Sequence, residues 1–352
     1  MKKNLLSMAA LALILAGCSS NEDDVKIDKE GTNKAVPIQI SQKVAGVETK
    51  AATNSTEVTA NIIMIDASAQ SSDTPDFDAF TPRTSNKLTS GSFASDDDRA
   101  NVATATFSAS TIATTLNVSP ILYYPSSSTK TFILGVAPTG TVSKDKVTFS
   151  TVDGYQDVMF AEKKDAGSVS NAASANGESN TNTVELEFAH QTAQLVFVSK
   201  LSTTTFTDTE WDGKTVTVKT ITIQNAEVPA TIVLNGGEIE WSQKNIDVAG
   251  CAEKLTTTAC AKSIPVMIKP VGKVTVDLVL ELSDNTIVNY NNLVIQTAKD
   301  GATGNLSIEK GKSHLVTFEI TPPDKATSGT AVSVTAKVQA WETGDEGKVE
   351  IK

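Results

Sequence analysis

Apolar and polar residues alternate one for one through most of this chain, and that periodicity constrains the fold more than any other feature. Val184-Glu-Leu186-Glu-Phe188, Val216-Thr-Val218 through Ile221-Thr-Ile223, Val274-Thr-Val276-Asp-Leu278-Val-Leu280 and Val332-Ser-Val334-Thr-Ala336-Lys-Val338 each place their apolar side chains on one face of an extended segment. Helical periodicity is scarce. Such segments read as half-buried antiparallel strands. Ser, Thr, Asn and Gly fill the joints, and Asn235-Gly236-Gly237, between Ala230–Leu234 and Glu238–Trp241, predicts a tight hairpin. Ile62-Ile63-Met64-Ile65 breaks the alternation with a continuous apolar run, which predicts a strand buried on both faces. The expected class is all-β, as two β-sandwich domains with Greek-key-like antiparallel sheets.

The chain's 352 residues leave room for about two such domains. Between Lys164 and Thr183 the only large apolar residue is Val169, so this stretch predicts a linker or a long surface loop. It divides the body into an N-terminal domain over 36–183, linker included, and a C-terminal domain over 184–352. At the front, Met1-Lys2-Lys3 precedes an apolar run from Leu5 to Ala16. That run falls short of the roughly 20 residues a membrane span needs, so 1–17 reads as a signal peptide. Leu15-Ala16-Gly17-Cys18 resembles a bacterial lipobox, in which Cys18 takes a diacylglycerol and holds the mature chain at a membrane. Residues 18–35 read as a flexible acidic tether. Its start, Ser19-Ser20-Asn21-Glu22-Asp23-Asp24, resembles the surface-export signal of Bacteroidales-type lipoproteins, which implies a body outside the outer membrane.

Charge and reactive side chains exclude several functions. The formal net charge is −11, and arginine occurs only at Arg83 and Arg99. No basic run exists to neutralise phosphates, which argues against a nucleic-acid partner. With 2 histidines and 3 cysteines, no nucleophile motif or metal-ligand spacing forms, so no catalytic residue, metal or cofactor is assigned. His190 and His314 read as structural. Asp73, Asp76 and Asp78, and the run Asp96-Asp97-Asp98, lack the closing Glu of a calcium loop and read as solvated. If Cys18 carries lipid, Cys251 and Cys260 remain as an even pair across a Thr-rich turn, either a small disulfide loop or two separate thiols. Of the tryptophans, Trp211 is the best placed for an exposed role, whereas Trp241 and Trp341 read as core or sheet-edge residues.

The first strand of the body is Val36-Pro37-Ile38-Gln39-Ile40-Ser41-Gln42, and Pro37, which cannot donate to a ladder, marks it as an edge or terminal strand. Four stretches then carry a resemblance: Asp157-Val158-Met159-Phe160-Ala161, the strand Phe188 to Phe197, Gly311-Lys312 to Ile320, and Val332 to Ile351. Taken in order behind the lipobox, they resemble the Bacteroidales-type fimbrillins, the type V pilins and minor pilins. The resemblance implies two transthyretin-like sandwiches, export as a lipoprotein, and proteolysis after a basic residue ahead of the N-terminal domain. The groove so vacated takes a strand from a neighbouring subunit by β-augmentation. Implied partners are other fimbrial subunits, the outer membrane through Cys18, and a host or bacterial surface ligand of unknown identity. In this chain the vacated strand is Val36 to Lys50, with Val36, Ile38 and Ile40 facing the groove. The family's processing is arginine-directed, yet no arginine precedes Arg83. Lys50 is the local substitute, and the processed chain would begin at Ala51. The alternative is a glycan-binding or adhesin surface lipoprotein that never polymerises. It calls for aromatics in loops, and an aromatic content of 5% favours the fimbrial subunit.

Overall fold

A computed structural model describes residues 35–45, 57–69, 72–126, 129–169, 183–297 and 305–323, with the backbone of 334–340. Cys18, Lys50, Ala51 and Trp341 lie outside these residues. The strands in chain order are β1 (Ile40–Val44), β2 (Glu57–Asp66), β3 (Leu88–Thr89), β4 (Ser92–Phe93), β5 (Val102–Ser108), β6 (Thr114–Thr115), β7 (Val118–Ser119), β8 (Thr131–Ala137), β9 (Thr141–Val142), β10 (Lys146–Thr148) and β11 (Met159–Gly167). They continue with β12 (Val184–His190), β13 (Ala193–Leu201), β14 (Val216–Val233), β15 (Ile239–Asp247), β16 (Val266–Ile268), β17 (Thr275–Leu282), β18 (Ile287–Val294), β19 (Gln296–Thr297), β20 (Lys312–Ile320) and β21 (Val334–Ala340). The molecule is all-β, as the alternation requires.

An 8-stranded sheet runs in the order β6-β1-β12-β11-β8-β2-β5-β7. Its end strands β6 and β7 are joined only by Leu116 and Asn117, so the sheet curls until its two ends nearly meet. Inside the curl lies one apolar cluster, including Ile40, Ile62, Met64, Phe107, Ile133 and Phe188. Ile63, Ile65, Leu134, Val136 and Phe160 point to the other face and pack on Val147, Ile232 and Leu234. The run at 62–65 is therefore buried on both faces, as its lack of alternation predicts. The C-terminal half packs a 6-stranded sheet, β18-β17-β14-β10-β9 with β15 beside β14, against a 5-stranded sheet, β16-β13-β20-β21-β19. Their shared core holds Phe197, Trp211, Val218, Ile221, Leu278 and Phe318.

The hairpin expected around Asn235-Gly236-Gly237 joins β14 to β15, and both glycines have positive φ, 95° and 71°. Strand β14 is longer than its alternating stretch suggests. Its 18 residues pair with β17 over Val216–Gln224 and with β10 over Thr231–Val233, so one strand serves both halves of the molecule.

Three expectations differ from the structure. Not every ladder is antiparallel: β1 with β12, β13 with β20 and β19 with β21 run parallel, because alternation reports a half-buried face and not the direction of the neighbour. The supposed linker from Lys164 begins inside β11, which pairs with β8 as far as Gly167↔Thr131; Ala166 and Ser168 are buried and Val169 packs on the first core. Small side chains suffice there because the neighbouring strand supplies the apolar volume. Strand β12 sits in the N-terminal sheet, between β1 and β11, so a boundary at 183/184 falls between two paired neighbours. The Phe188 ring occupies the space where a side chain on Gly135 of β8 would stand.

Candidate strand-exchange site

The residues predicted to face a groove are at the start of the described chain. Ile38 and Ile40 are buried in the first core, and Val36 packs against it half-buried. Pro37 makes only an isolated bridge, to Tyr123, ahead of the regular strand. Strand β1 is not at the sheet's edge. On one side it runs parallel to β12 along its whole length, from Ile40↔Val184 to Val44↔Phe188. On the other it meets β6 at two positions only, Ser41↔Thr115 and Gln42↔Thr114. The rest of that side is held by single backbone bonds, Ile38 N–H to Leu122 O, Leu116 N–H to Ile40 O, Tyr124 N–H to Val36 O and Val44 N–H to Ser110 O, each 2.7–3.0 Å. A surface groove of about 500 Å³ opens along this thin seam, lined by Ile38, Ile40, Leu116, Val118 and Ile121 among others.

Both arginines brace the segment that closes the seam. Arg99 is fully buried, with its guanidinium 2.7 Å from Asp66 Oδ2 and 3.3 Å from Asp96 Oδ1, and it donates to the Tyr123 carbonyl at 2.8 Å. Arg83 donates to the Arg99 carbonyl at 2.9 Å and pairs with Asp97 at 3.1 Å. The aspartate run at 96–98 thus forms a short 3-10 turn inside an arginine cluster rather than a cation loop. Among the described residues no group of His, Cys, Asp and Glu is placed to hold a metal.

The histidine motifs mark where the chain crosses from one half to the other. The stretch Phe188 to Phe197 is not a single strand: it breaks at Gln191-Thr192, between β12 in the first sheet and β13 in the third. There His190 Nδ1 lies 2.8 Å from Asp157 Oδ2, Gln191 N–H donates to Val158 O, and Gly311 N–H donates to Thr192 O. Three of the four resembling stretches therefore meet at one joint. His314 is buried in β20; its Nε2 accepts the Glu309 N–H at 3.3 Å, and burial, with Lys312 adding, pushes its pKa down to about 4.

Cys251 and Cys260 are both free. The Cys251 thiol is buried in the second core, which pushes its pKa up to about 12, with Cys260 and Glu253 adding. Cys260 Sγ accepts the Ser199 N–H at 3.0 Å. Trp211 is among the largest fully buried side chains, contrary to its expected exposure; an apolar pocket around Phe206 accommodates it. Trp241, in β15, lies half-buried under the Lys269 ammonium.

Sequence reading missed Gln42. It lies in phase with Ile38, Ile40 and Val44, and its exposure is 0%. A polar residue on the apolar phase of a strand was the available signal.

Among the described residues no helix is long and apolar enough to cross a membrane. No curated protein matches the chain. Among solved structures it is similar to a candidate cell adhesion protein of Bacteroides uniformis, at 16% identity over 87% of this chain and 99% of that one, with a TM-score of 0.47. A fimbrial protein of Bacteroides vulgatus aligns at 13% identity over 86% and 99%, TM-score 0.40. A fimbrial assembly protein of Parabacteroides distasonis aligns at 8% identity over 91% and 100%, TM-score 0.41. A family model described as fimbrillin-like matches residues 49–341, well over half the chain. The chain therefore belongs to the fimbrillin-like family, a class of structural rather than enzymatic proteins.

Proposed function

We propose that this protein is a fimbrial subunit of the cell surface, held to the outer membrane through lipid on Cys18 until proteolysis after Lys50 releases the segment that contains β1. The signal peptide at 1–17 and the acidic tether at 18–35 belong to the same reading, as do the two transthyretin-like domains. A strand from a neighbouring subunit then fills the slot, and the polymer supports adhesion. The observation that carries this reading is the mismatch in how β1 is held: its inward apolar side chains are core residues, yet on one of its two edges only two positions pair with a strand, the rest being single bonds to loop backbone. Removing it would expose the inner face of the first core along one unpaired edge of β12, a surface that invites strand addition.

The glycan-binding alternative gains no support from Trp211, which is buried, and Trp241 is half-buried with the Lys269 ammonium 5.9 Å from its ring centre. N-terminal sequencing of surface-assembled material, with electron microscopy for filaments, tests the proposal. The expected new terminus is Ala51, and Lys50→Ala should abolish it. Filaments built only from chains that retain acylated Cys18 would overturn strand exchange.

A further inference from the structure

One inward position in the slot filled by β1 is not apolar. Ile38, Ile40 and Val44 point into the first core, and Gln42 points the same way with 0% exposure. Its Nε2 donates to Thr114 Oγ1 at 2.9 Å and, at the long distance of 3.5 Å, to the Ser108 carbonyl. Its Oε1 is buried with no hydrogen-bond partner. An amide buried with an unmet acceptor does not favour the fold over an apolar side chain of similar size. Stability does not account for Gln42.

Register does. The inward residues read Val36, Ile38, Ile40, Gln42, Val44, and a parallel ladder offers the same hydrogen bonds every two residues. If β1 slides by two towards the end of β12, Val36, Ile38 and Ile40 take the places of Ile38, Ile40 and Gln42. Apolar residues then fill those three places, two of them with no change from branched apolar character, and the slid strand would fit nearly as well. The exception is Gln42 itself, which moves to the place of Val44 and leaves Thr114 behind. On the outward side Lys43 Nζ lies 2.8 Å from Glu185 and 3.4 Å from Glu187, but these pairs are half-exposed and mark the register only weakly.

We propose that Gln42 is the register key of this slot: the slot accepts a strand in the one frame that puts an uncharged hydrogen-bonding side chain inward against Thr114. Its bearing on assembly rests on the strand-exchange reading. An incoming subunit strand would need such a residue two places after a pair of inward apolar ones.

Cysteine cross-linking inside the intact full-length chain tests this, with Cys18, Cys251 and Cys260 changed to Ala. Ser41→Cys with Glu185→Cys reports the observed frame, in which these residues face each other. Ser41→Cys with Glu187→Cys reports the frame slid by two. With Gln42 present, only the first pair should cross-link. Gln42→Met keeps the size and removes the hydrogen bonds, and should raise the slid cross-link about ten- to a hundredfold, the penalty an unsatisfied buried amide otherwise imposes. Thr114→Val, which removes the acceptor and keeps the amide, should do the same and serves if Gln42→Met does not fold. Cross-linking confined to the observed frame in both variants would overturn the proposal. Because the cross-links form within one unprocessed chain, this result is independent of cleavage at Lys50; surface material that keeps its acylated terminus would overturn exchange and leave the register result standing.

Discussion

Strands β1 and β14 line cores of similar chemistry, yet they are held in opposite ways. Ile40 of β1 is 2% exposed and Val218 of β14 is 0% exposed, so burial does not distinguish them. Their ladders do. Strand β14 pairs antiparallel with β15 on one edge and with β17 and β10 on the other. Strand β1 has one full-length partner, which is parallel and so slightly less stable per residue, and two paired positions on its far side. How firmly a strand is tied into its sheet thus depends on its hydrogen-bonded neighbours, and a list of core residues does not reveal it.

The sharpest way to break this contrast is through Arg99. Its guanidinium ties Asp66 of β2 to the Tyr123 carbonyl, and Tyr123 and Tyr124 belong to the segment that covers the thin side of β1. Arg99→Ala leaves the Asp66 and Asp96 carboxylates and the Tyr123 carbonyl without their cation, and should destabilise the protein by about 3–5 kcal/mol. Urea unfolding measures the total. Hydrogen exchange locates it: the amides of Ile38 and Val44 should lose protection before those of β14. Equal loss in both strands would mean that the seam is not the weak side of the slot.

The second test acts on the other half. His314 sits in β20, which has β13 and β21 as full neighbours, and among the described groups near it Lys312 is the charge that acts on it. The folded protein holds its pKa at about 4, below the ordinary 6.5. As pH falls through 6.5 the unfolded chain takes up a proton that the folded chain refuses, so stability drops with acid and levels off below about pH 4. The loss is at most about 3 kcal/mol, and none of it is present above pH 7. Unfolding curves between pH 7 and 4 should show this slope, and His314→Gln should flatten it. The C-terminal sheet, in which His314 is buried, should therefore lose stability as the pH falls. A slope that survives the substitution would assign acid sensitivity elsewhere.

Much of this was legible in the sequence. The period of two at Val184–Phe188, Val216–Ile223 and Val274–Leu280 became strands, and the apolar run at 62–65 became a strand buried on both faces. What alternation cannot carry is the identity of the neighbour. Strand β12 reads like the strands that follow it, yet it pairs with β1 and β11, and its Phe188 ring sits in the space that Gly135 of β8 leaves open. Trp211 looked exposed because charged and polar residues flank it, whereas its indole turns inward beneath Phe206. Gln42 was visible as a polar residue in an apolar phase, but its acceptor lies 72 positions away, and only the folded sheet brings Thr114 to it.

The smallest expected effect tests whether the two halves stand apart at all. Gly237 closes the hairpin of β14 and β15 with a φ of 71°, and a Cβ there would run into the ring of Phe160. Phe160 belongs to β11 of the N-terminal sheet and packs with Ile232 of β14 and with Leu234 just past its end. Gly237→Ala adds the cost of a left-handed conformation to that contact, about 1–3 kcal/mol together. Asn235 and Gly236 leave the turn chemistry otherwise intact, and a Cβ at Gly236 meets nothing within 4 Å, so Gly236→Ala isolates the backbone share. If the excess loss at 237 appears in exchange of the Phe160 and Ala161 amides, the long strand of the C-terminal half is a structural part of the N-terminal one.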